Sequence, residues 1–504
     1  MGNNPDDMMG NSAARLRNRA ERGMMKGVVS WMGRVVMLSL AAGFALGACV
    51  DEKEIFLPFP LYDDPAAEAQ GFLGYSDQQA KLPVCGNCHV GQQAEWKQTA
   101  HAGAWATLQA NANAQDFCEG CHTVGANGNA VTDANVGYAA TLEPRYEDVQ
   151  CEACHGPGLS HVTNPDADAK PIASILVGTD LTNGCGECHQ GSHHGFVDEW
   201  AQSRHGDAAN RPQYREREGC RNCHGARGAF EAWGIDAEYL EKDGTEEIGI
   251  VCAVCHDPHD ATNAGQLRFP IDVAEVEVNL CMKCHQRRAI PDLENPQRGP
   301  HSPQGPLLLG ENVGWQPPNF QYADLQIRST HGSDANPRLC ATCHVNAYEV
   351  TDQVTGDFVL SVKGHSFKPI PCLAADGTPD PSADCDLSER TFASCTTSGC
   401  HGSEDAARSA YIVATTRIAN LVAALEVLLA QVPADQFDRN DDIFTSAEGA
   451  NFNAGLGEIT SSAIHNPFLT EALLTASIQQ VMSDYGLAVS SNISLANILS
   501  LDHQ

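Results

Sequence analysis

Eight times the chain repeats Cys-x-x-Cys-His. The copies are Cys85, Cys88 and His89; Cys118, Cys121 and His122; Cys151, Cys154 and His155; Cys185, Cys188 and His189; Cys220, Cys223 and His224; Cys252, Cys255 and His256; Cys281, Cys284 and His285; and Cys340, Cys343 and His344. Two thiols three residues apart lie on one helical turn, so both can reach the vinyl groups of a single porphyrin. The His that follows sits beneath the same ring and can give its imidazole to iron, which is the chemistry of covalent haem attachment. A looser ninth site follows at Cys395, Cys400 and His401, where four residues rather than two separate the thiols. A longer loop can still carry both thiols to one ring. The alternatives there are a disulfide, or a zinc site, drawn from Cys372, Cys385, Cys395 and Cys400. Haem is preferred, because the other motifs place the chain where covalent haem is attached and where disulfides also persist. Cys372 and Cys385 have no following His and suit a disulfide closing a short loop, with two free buried thiols as the alternative.

Iron in haem has a second axial position, and its occupant separates an electron carrier from a catalyst. Of the 20 His, nine belong to the motifs, leaving His101, His161, His193, His194, His205, His259, His301, His331, His365, His465 and His503. His503 lies in the tail. His193 and His194 are adjacent and point apart, so one iron uses only one of them. Nine candidate second ligands therefore stand against nine candidate haems, which favours bis-His coordination throughout. Beyond residue 48 the only Met are Met282, inside a motif, and Met482. His/His ligation without Met implies lower potentials than His/Met. Sequence alone does not assign the pairs.

The elements that must position these groups are short. Motif starts fall 33, 33, 34, 35, 32 and 29 residues apart through Cys281. The segments between them differ in length and character, so the spacing reads as a haem pitch of one motif helix and one loop rather than as a solenoid. One internal repeat stands out: Glu95-Trp96-Lys-Gln98-Thr99-Ala-His101 matches Glu199-Trp200-Ala-Gln202-Ser203-Arg-His205. A helix leaving the motif could set the Trp against a porphyrin and the His on a different iron. Gly, Pro, Asn and Asp are frequent before residue 400, so regular structure there is expected to be sparse, with porphyrins replacing side chains as the apolar filling. From residue 403 the pattern changes. Tyr411, Ala414, Ile418, Leu421, Leu425, Leu428 and Val432 recur at helical spacing up to Pro433. A second helix should start at Asn466 as N-cap with Pro467 in its first turn, and Gly486 should close it. The expected fold is mainly α with extensive coil, a multihaem cytochrome c fold with haems as the core and long C-terminal helices. Its divisions are a signal peptide at 1–48, a linker at 49–80, a multihaem domain at 81–402 and a helical region at 403–504 that contributes a distal His.

The N-terminus reads as a targeting segment. Arg15, Arg17, Arg19, Arg22, Lys26 and Arg34 form a basic lead, and the apolar run from Val35 ends in Leu46-Gly47-Ala48-Cys49. This resembles a bacterial lipobox, which implies acylation of Cys49 and an exported, lipid-anchored protein. An ordinary signal peptide cut nearby is the alternative. Val50 after Cys49 mildly favours the outer membrane, on its periplasmic face or at the cell surface. Without residues 1–48 the chain carries 25 Lys and Arg against 61 Asp and Glu. That surplus excludes nucleic acid as a partner. It is read as a soluble acidic surface, with steering of positively patched redox partners as the sharper alternative.

Two stretches resemble known families. Cys118-Glu-Gly-Cys-His122-Thr-Val-Gly and Val149-Gln-Cys151-Glu-Ala-Cys-His155-Gly-Pro-Gly-Leu-Ser-His161, with Trp96-x-x-Thr99-x-His101-Ala102, are similar to the tetrahaem cytochromes of nitrifying bacteria. The resemblance covers residues 80–165 and implies distal-ligand roles for His161 and His101. Asp257-Pro258-His259, His301-Ser-Pro-Gln304 and Ile464-His465-Asn466-Pro467 resemble segments of the multihaem nitrite reductase and hydroxylamine oxidoreductase superfamily. No Cys-x-x-Cys-Lys occurs, which departs from the nitrite-reducing members. The expected role is therefore electron transfer along a chain of bis-His haems, in anaerobic respiration or extracellular electron transfer. Its partners are other redox proteins or quinol-linked cytochromes, and a homo-oligomer is open. The rivals are a reductase or oxidase of a nitrogen or sulfur compound, with Arg287 and Arg288 beside an open iron, and a subunit of a polymeric cytochrome filament.

Overall fold

The computed structural model describes residues 71–488, except 132, 134, 166–169, 178–183, 209–211, 236–246, 319, 324, 353, 398, 439–440 and 442. Cys49, the lead before it and His503 lie outside the described residues.

Up to residue 402 the chain is a succession of single helical turns and loops. Among the described residues its longest helix there is Ala226–Trp233, eight residues. The earliest full helix considered below, α1 (Val90–Trp96), and its later counterpart α2 (Phe196–Ala201) each follow a Cys-containing motif. Among the described residues strands come only in small antiparallel pairs: β1 (Tyr75–Asp77) with β2 (Leu82–Pro83), β3 (Tyr348–Thr351) with β4 (Phe358–Val362), and β5 (Cys372–Leu373) with β6 (Pro379–Asp380). The β3–β4 hairpin turns at Asp352, whose carboxylate accepts from the Val354 and Thr355 N–H groups at 2.8 and 2.7 Å. A disulfide joins Cys372 to Cys385, with Cα atoms 6.1 Å apart.

The folded part begins before residue 81, which shortens the expected linker. Phe72, Leu73 and Tyr75 are buried. Their backbone is held by the buried Glu152 of the third motif, which accepts from the N–H groups of Leu73, Gly74 and Gly158 at 2.9, 2.8 and 2.8 Å. Burial pushes this carboxyl up to about 7, against the three donors that pull it down. Gly74, at φ +67°, is required here, because a Cβ would lie 2.5 Å from the Arg145 carbonyl oxygen. The buried Asp148 adds a second tie, accepting from Tyr75 Oη at 2.8 Å and the Trp105 N–H at 3.0 Å and pairing with Lys81.

The C-terminal region is a conventional helical core. Helix α3 (Glu404–Leu429) starts at Ser403, whose hydroxyl accepts from the Ala406 N–H, and Glu404 and Asp405 complement the dipole of its first turn. It is long and apolar enough to cross a membrane by composition, yet its Ile418, Leu421, Leu425 and Leu428 pack into the protein core. They meet Ala447, Ala450 and Ala454 of α4 (Ser446–Glu458) and Leu474, Ile478 and Val481 of α5 (Pro467–Tyr485). Each fully buried Leu contributes about 1.5–3 kcal/mol. Helix α4 went unread in the sequence because Gly449, Gly455 and Gly457 dilute its pattern. Those glycines allow close packing: a Cβ on Gly449 would sit 2.2 Å from the Trp315 ring, and one on Gly457 2.5 Å from Val422. Its start was legible in the capping box of Thr445 and Glu448.

Polar ties fasten this bundle to the motif region. Asn453 accepts from the Trp315 N–H at 2.7 Å and donates to the Trp315 carbonyl at 2.7 Å and to Ser477 at 2.9 Å. Asn466 caps α5 by accepting from the Leu469 N–H, and its amide donates to the carbonyls of Leu307 and Ile327 at 3.0 and 2.6 Å. Replacing Asn466 by Ala removes the cap and strands two largely buried carbonyls. Asn466→Ala should cost about 2–4 kcal/mol, read as a lowered midpoint in denaturant unfolding followed by helical circular dichroism. A midpoint within error of the parent would show that the bundle does not depend on this residue.

Candidate haem-binding sites

The nine motifs are numbered as sites 1–9 in chain order, and most of them form short helical turns. Cys151–His155 and Cys340–His344 are single α-helical turns, Cys252–Cys255 is another, and Val84–Asn87 and Cys185–Glu187 are 3-10 turns. The turns Glu119–His122 and Arg221–His224 are entered from Cys118 and Cys220. In site 1 Cys88 ends the turn, and its N–H donates to the Cys85 carbonyl at 3.1 Å.

Most of the motif thiols are half-buried, and Cys88, Cys154 and Cys400 are exposed.

Each motif His faces one other His. The ring centres are 6.5 Å apart for His89 and His161, 6.3 Å for His122 and His194, and 6.0 Å for His155 and His259. They are 6.1 Å apart for His189 and His101, 6.3 Å for His224 and His301, and 6.2 Å for His256 and His365. For His285 and His205, His344 and His465, and His401 and His331 the separations are 6.2, 6.2 and 6.3 Å. A metal–imidazole bond of about 2.0–2.1 Å, added to the distance from ring centre to nitrogen, sets two imidazoles trans across one metal ion roughly 6.3 Å apart. The nine gaps therefore fit an iron atom in each. The ninth pair shares this geometry although its thiols are spaced differently.

The imidazoles are oriented from behind. The Nδ1 atoms of His122, His155, His256, His331 and His344 meet the carbonyls of Ala104, Pro171, Gly265, Ile464 and Phe367 at 2.7–2.9 Å. Such bonds fix the tautomer and turn Nε2 toward a metal. The His465 carbonyl accepts from Ser329 Oγ at 2.6 Å, so the turn before α5 seats His465 and also backs His331. Burial pushes His465 down to about 3, and His189, His205 and His365 down to about 4. The neutral form that ligates metal is thus the favoured one. The Nδ1 atoms of His161 and His465 are buried without a hydrogen-bond partner.

His193 faces no motif His. It stacks on Phe358 of β4 at 4.7 Å. It and His194 share the single turn Gly191–His194, where neighbours project about 100° apart, so only His194 turns inward. His194 also lies 6.4 Å from His189, but at 81°, and His101 already faces that ring. The repeated Trp residues each bond a distant backbone carbonyl. Trp96 at the end of α1 donates to the Val149 carbonyl at 3.0 Å, and Trp200 in α2 donates to the Ile250 carbonyl at 2.9 Å. Each acceptor stands two residues before a motif, sites 3 and 6, which the matching heptapeptides signalled without revealing the partner. Of the basic pair at Arg287 and Arg288, Arg288 donates to the Gly299 carbonyl at 3.0 Å, and His301 already faces His224 nearby.

Eight Cys-x-x-Cys-His motifs, each with a second His facing its own, on a mainly α scaffold with little sheet mark the chain as a multihaem c-type cytochrome. Residues 84–156 match the family model of cytochrome c554 and c-prime, and residues 246–289 match that of the doubled CXXCH motif. The multiheme cytochrome MtrA of Shewanella baltica is 26% identical over 226 residues, 42% of this chain and 60% of that protein. Cytochrome c-554 of Nitrosomonas europaea is 34% identical over 91 residues, 15% of this chain and 36% of that protein. The chain thus spans less than two thirds of the length of either relative. No solved structure matches.

The contrast between the adjacent His residues is testable. His194→Ala should convert one low-spin haem to high-spin, seen in the electron paramagnetic resonance spectrum, whereas His193→Ala should leave the low-spin signals unchanged. The reverse outcome would exchange their roles.

Proposed function

We propose that this chain is an exported electron relay in which nine haem c groups are each held between two histidines. The observation that supports this most directly is the recurrence of the facing imidazole pair, nine times, at 6.0–6.5 Å. Bound haem c supplies a one-electron ferric–ferrous couple at each site, whose potential is set by axial ligands, hydrogen bonding and burial.

The chain's own residues do the rest. The paired thiols fix each ring in place. Two imidazoles held by the fold on either side of an iron would let it gain or lose an electron with little rearrangement. Backbone carbonyls behind the Nδ1 atoms hold five of the rings in orientation. No side chain has to act as acid, base or nucleophile. A second His facing the His of every motif would leave an iron held there no open side for an oxyanion or hydroxylamine, which weighs against a reductase or oxidase. It also leaves no ligand to be donated by a neighbour in a filament.

The reading extends to location. Leu46-Gly47-Ala48-Cys49 suits a lipid anchor at Cys49, with the acidic mature chain outside the cytoplasm, at the outer membrane, exchanging electrons with other redox proteins. The relatives named as a multiheme cytochrome and a cytochrome c-554 support the redox role over the parts they cover.

Intact mass of the purified protein should show nine haems and an acylated Cys49, and its spectrum should be wholly low-spin. Carbon monoxide on the reduced protein and cyanide on the oxidised protein should cause no spectral change. A carbon monoxide complex at one haem in undamaged protein would turn the reading toward catalysis, and eight haems would remove site 9.

A further inference from the structure

Adjacent residues of the second heptapeptide reach the two sides of one site. Trp200 of α2 donates to the Ile250 carbonyl at 2.9 Å, two residues before Cys252 of site 6. Glu199, beside it, reaches the opposite side. Its carboxylate oxygens accept from the backbone N–H groups of Lys363 and His365, each at 2.6 Å, across 164 and 166 residues of sequence. His365 is the imidazole that faces His256 of site 6, at 6.2 Å and with 21° between the ring planes. The motif side and the opposing side of this gap are therefore fastened to consecutive positions of one short helix.

The loop that Glu199 holds bears on more than site 6. It leaves β4 at Val362. Gly364, at φ +77°, lies against the chain leaving site 8. A Cβ there would fall 2.6 Å from the Val345 carbonyl carbon and 2.7 Å from the Asn346 nitrogen. The Phe367 carbonyl backs Nδ1 of His344 in site 8 at 2.8 Å. The Phe367 ring stands edge-on to His205 of site 7, with centres 4.6 Å apart. On the other flank Phe196 of α2 lies edge-on to His365 at 4.9 Å and to His189 of site 4 at 5.5 Å. Contacts of this kind limit the rotation of an imidazole about its bond to a metal. The bonds from Glu199 are charge-assisted, so the loop is anchored more firmly than neutral hydrogen bonds would hold it.

We infer that Glu199 is a positioning residue for electron transfer at sites 6, 7 and 8. It seats the loop 363–367, and the loop delivers His365 to site 6, braces His344 of site 8 and packs on His205 of site 7. That role rests on the two-histidine ligation proposed above and adds a residue that lies in none of the motifs. The heptapeptide match does not by itself assign it. Among the described residues the Glu95 side chain, at the same place in the first copy, holds no such loop. For site 3 the corresponding work is local: Asp257 accepts from the His259 N–H at 3.0 Å.

The test compares variants of the haem-loaded protein by electron paramagnetic resonance and by carbon monoxide binding after reduction. His365→Ala should leave the site 6 iron with one His, giving a high-spin signal and one carbon monoxide per chain where the parent binds none. Glu199→Ala should give the same high-spin signal in smaller amount, with carbon monoxide at that haem and shifted g values at two further low-spin haems. The double variant should bind no more carbon monoxide than His365→Ala, because both changes act on one iron. Glu199→Gln, which keeps one acceptor in the same volume, should stay low-spin and shift the same signals less. Glu95→Ala should match the parent. The role is overturned if Glu199→Ala keeps the parent's g values and binds no carbon monoxide. It is equally overturned if Glu95→Ala changes the spectrum as much, or if the double variant binds a second carbon monoxide. Where Glu199→Ala does not mature with its haems, Glu199→Gln decides, and g values equal to the parent's overturn the role. A His365→Ala protein without a high-spin haem would instead count against two-histidine ligation at site 6, so the two failures are distinguishable.

Discussion

Two imidazoles held a little over 6 Å apart are the constraint on which the rest of this structure depends. In the proposed ligation each gap must be kept open to within a fraction of an ångström, because metal–ligand bonds tolerate little error in length. The chain meets that demand with local devices. One helical turn aims the thiols, a carbonyl behind Nδ1 fixes the ring, and a distant segment delivers the opposite imidazole. Regular secondary structure is short in residues 71–402 because each element has only to aim one or two groups. The side chains there form small separate clusters, such as Phe72, Val124, Val136, Tyr138 and Tyr146, instead of one continuous core.

The C-terminal helices follow a different physical rule and meet the motif region through an apolar cluster that sets Leu456, Leu469 and Leu473 against Ala289, Leu307, Val313 and Phe320. Leu421, Leu425 and Leu428 fill a core of ordinary type, and the product of that core is the position of one short turn. His465 and the Ile464 carbonyl sit on it, immediately before the Asn466 cap. Through that turn the bundle sets one imidazole of site 8 directly and braces His331 of site 9. A stable helical packing thus secures the part of the row that has fewest motifs per residue.

Much of this was legible in the sequence, for reasons that differ by residue. The motifs carry their chemistry in adjacent positions, so composition and spacing sufficed. The apolar period of α3 and the Asn-Pro start of α5 are local signals, and both helices appear where that pattern places them. Helix α4 was hidden because its packing is made by glycines, which have no period to read. The β3–β4 hairpin escaped for a related reason: Phe358–Val362 is a five-residue, mostly apolar run with no alternation to read. The pairing of His residues could not be read at all, since His101 and His189 or His155 and His259 meet through tertiary folding alone. Counting brought nine candidates to nine sites, and the fold selected His194 over His193 by the direction of one turn.

The separations between facing imidazoles bear on how the chain is held together. The disulfide joins residues 13 apart in sequence, whereas His344 faces His465 and His155 faces His259 across more than a hundred residues. In the proposed ligation each such pair is a cross-link through iron. The entropy removed from an unfolded chain by a cross-link grows with the length of the loop it closes. The redox groups are then also the long-range staples of a polypeptide that has little continuous core before residue 403. Conduction and cohesion reside in the same bonds, so a change that loosens one axial ligand weakens the architecture along with the circuit.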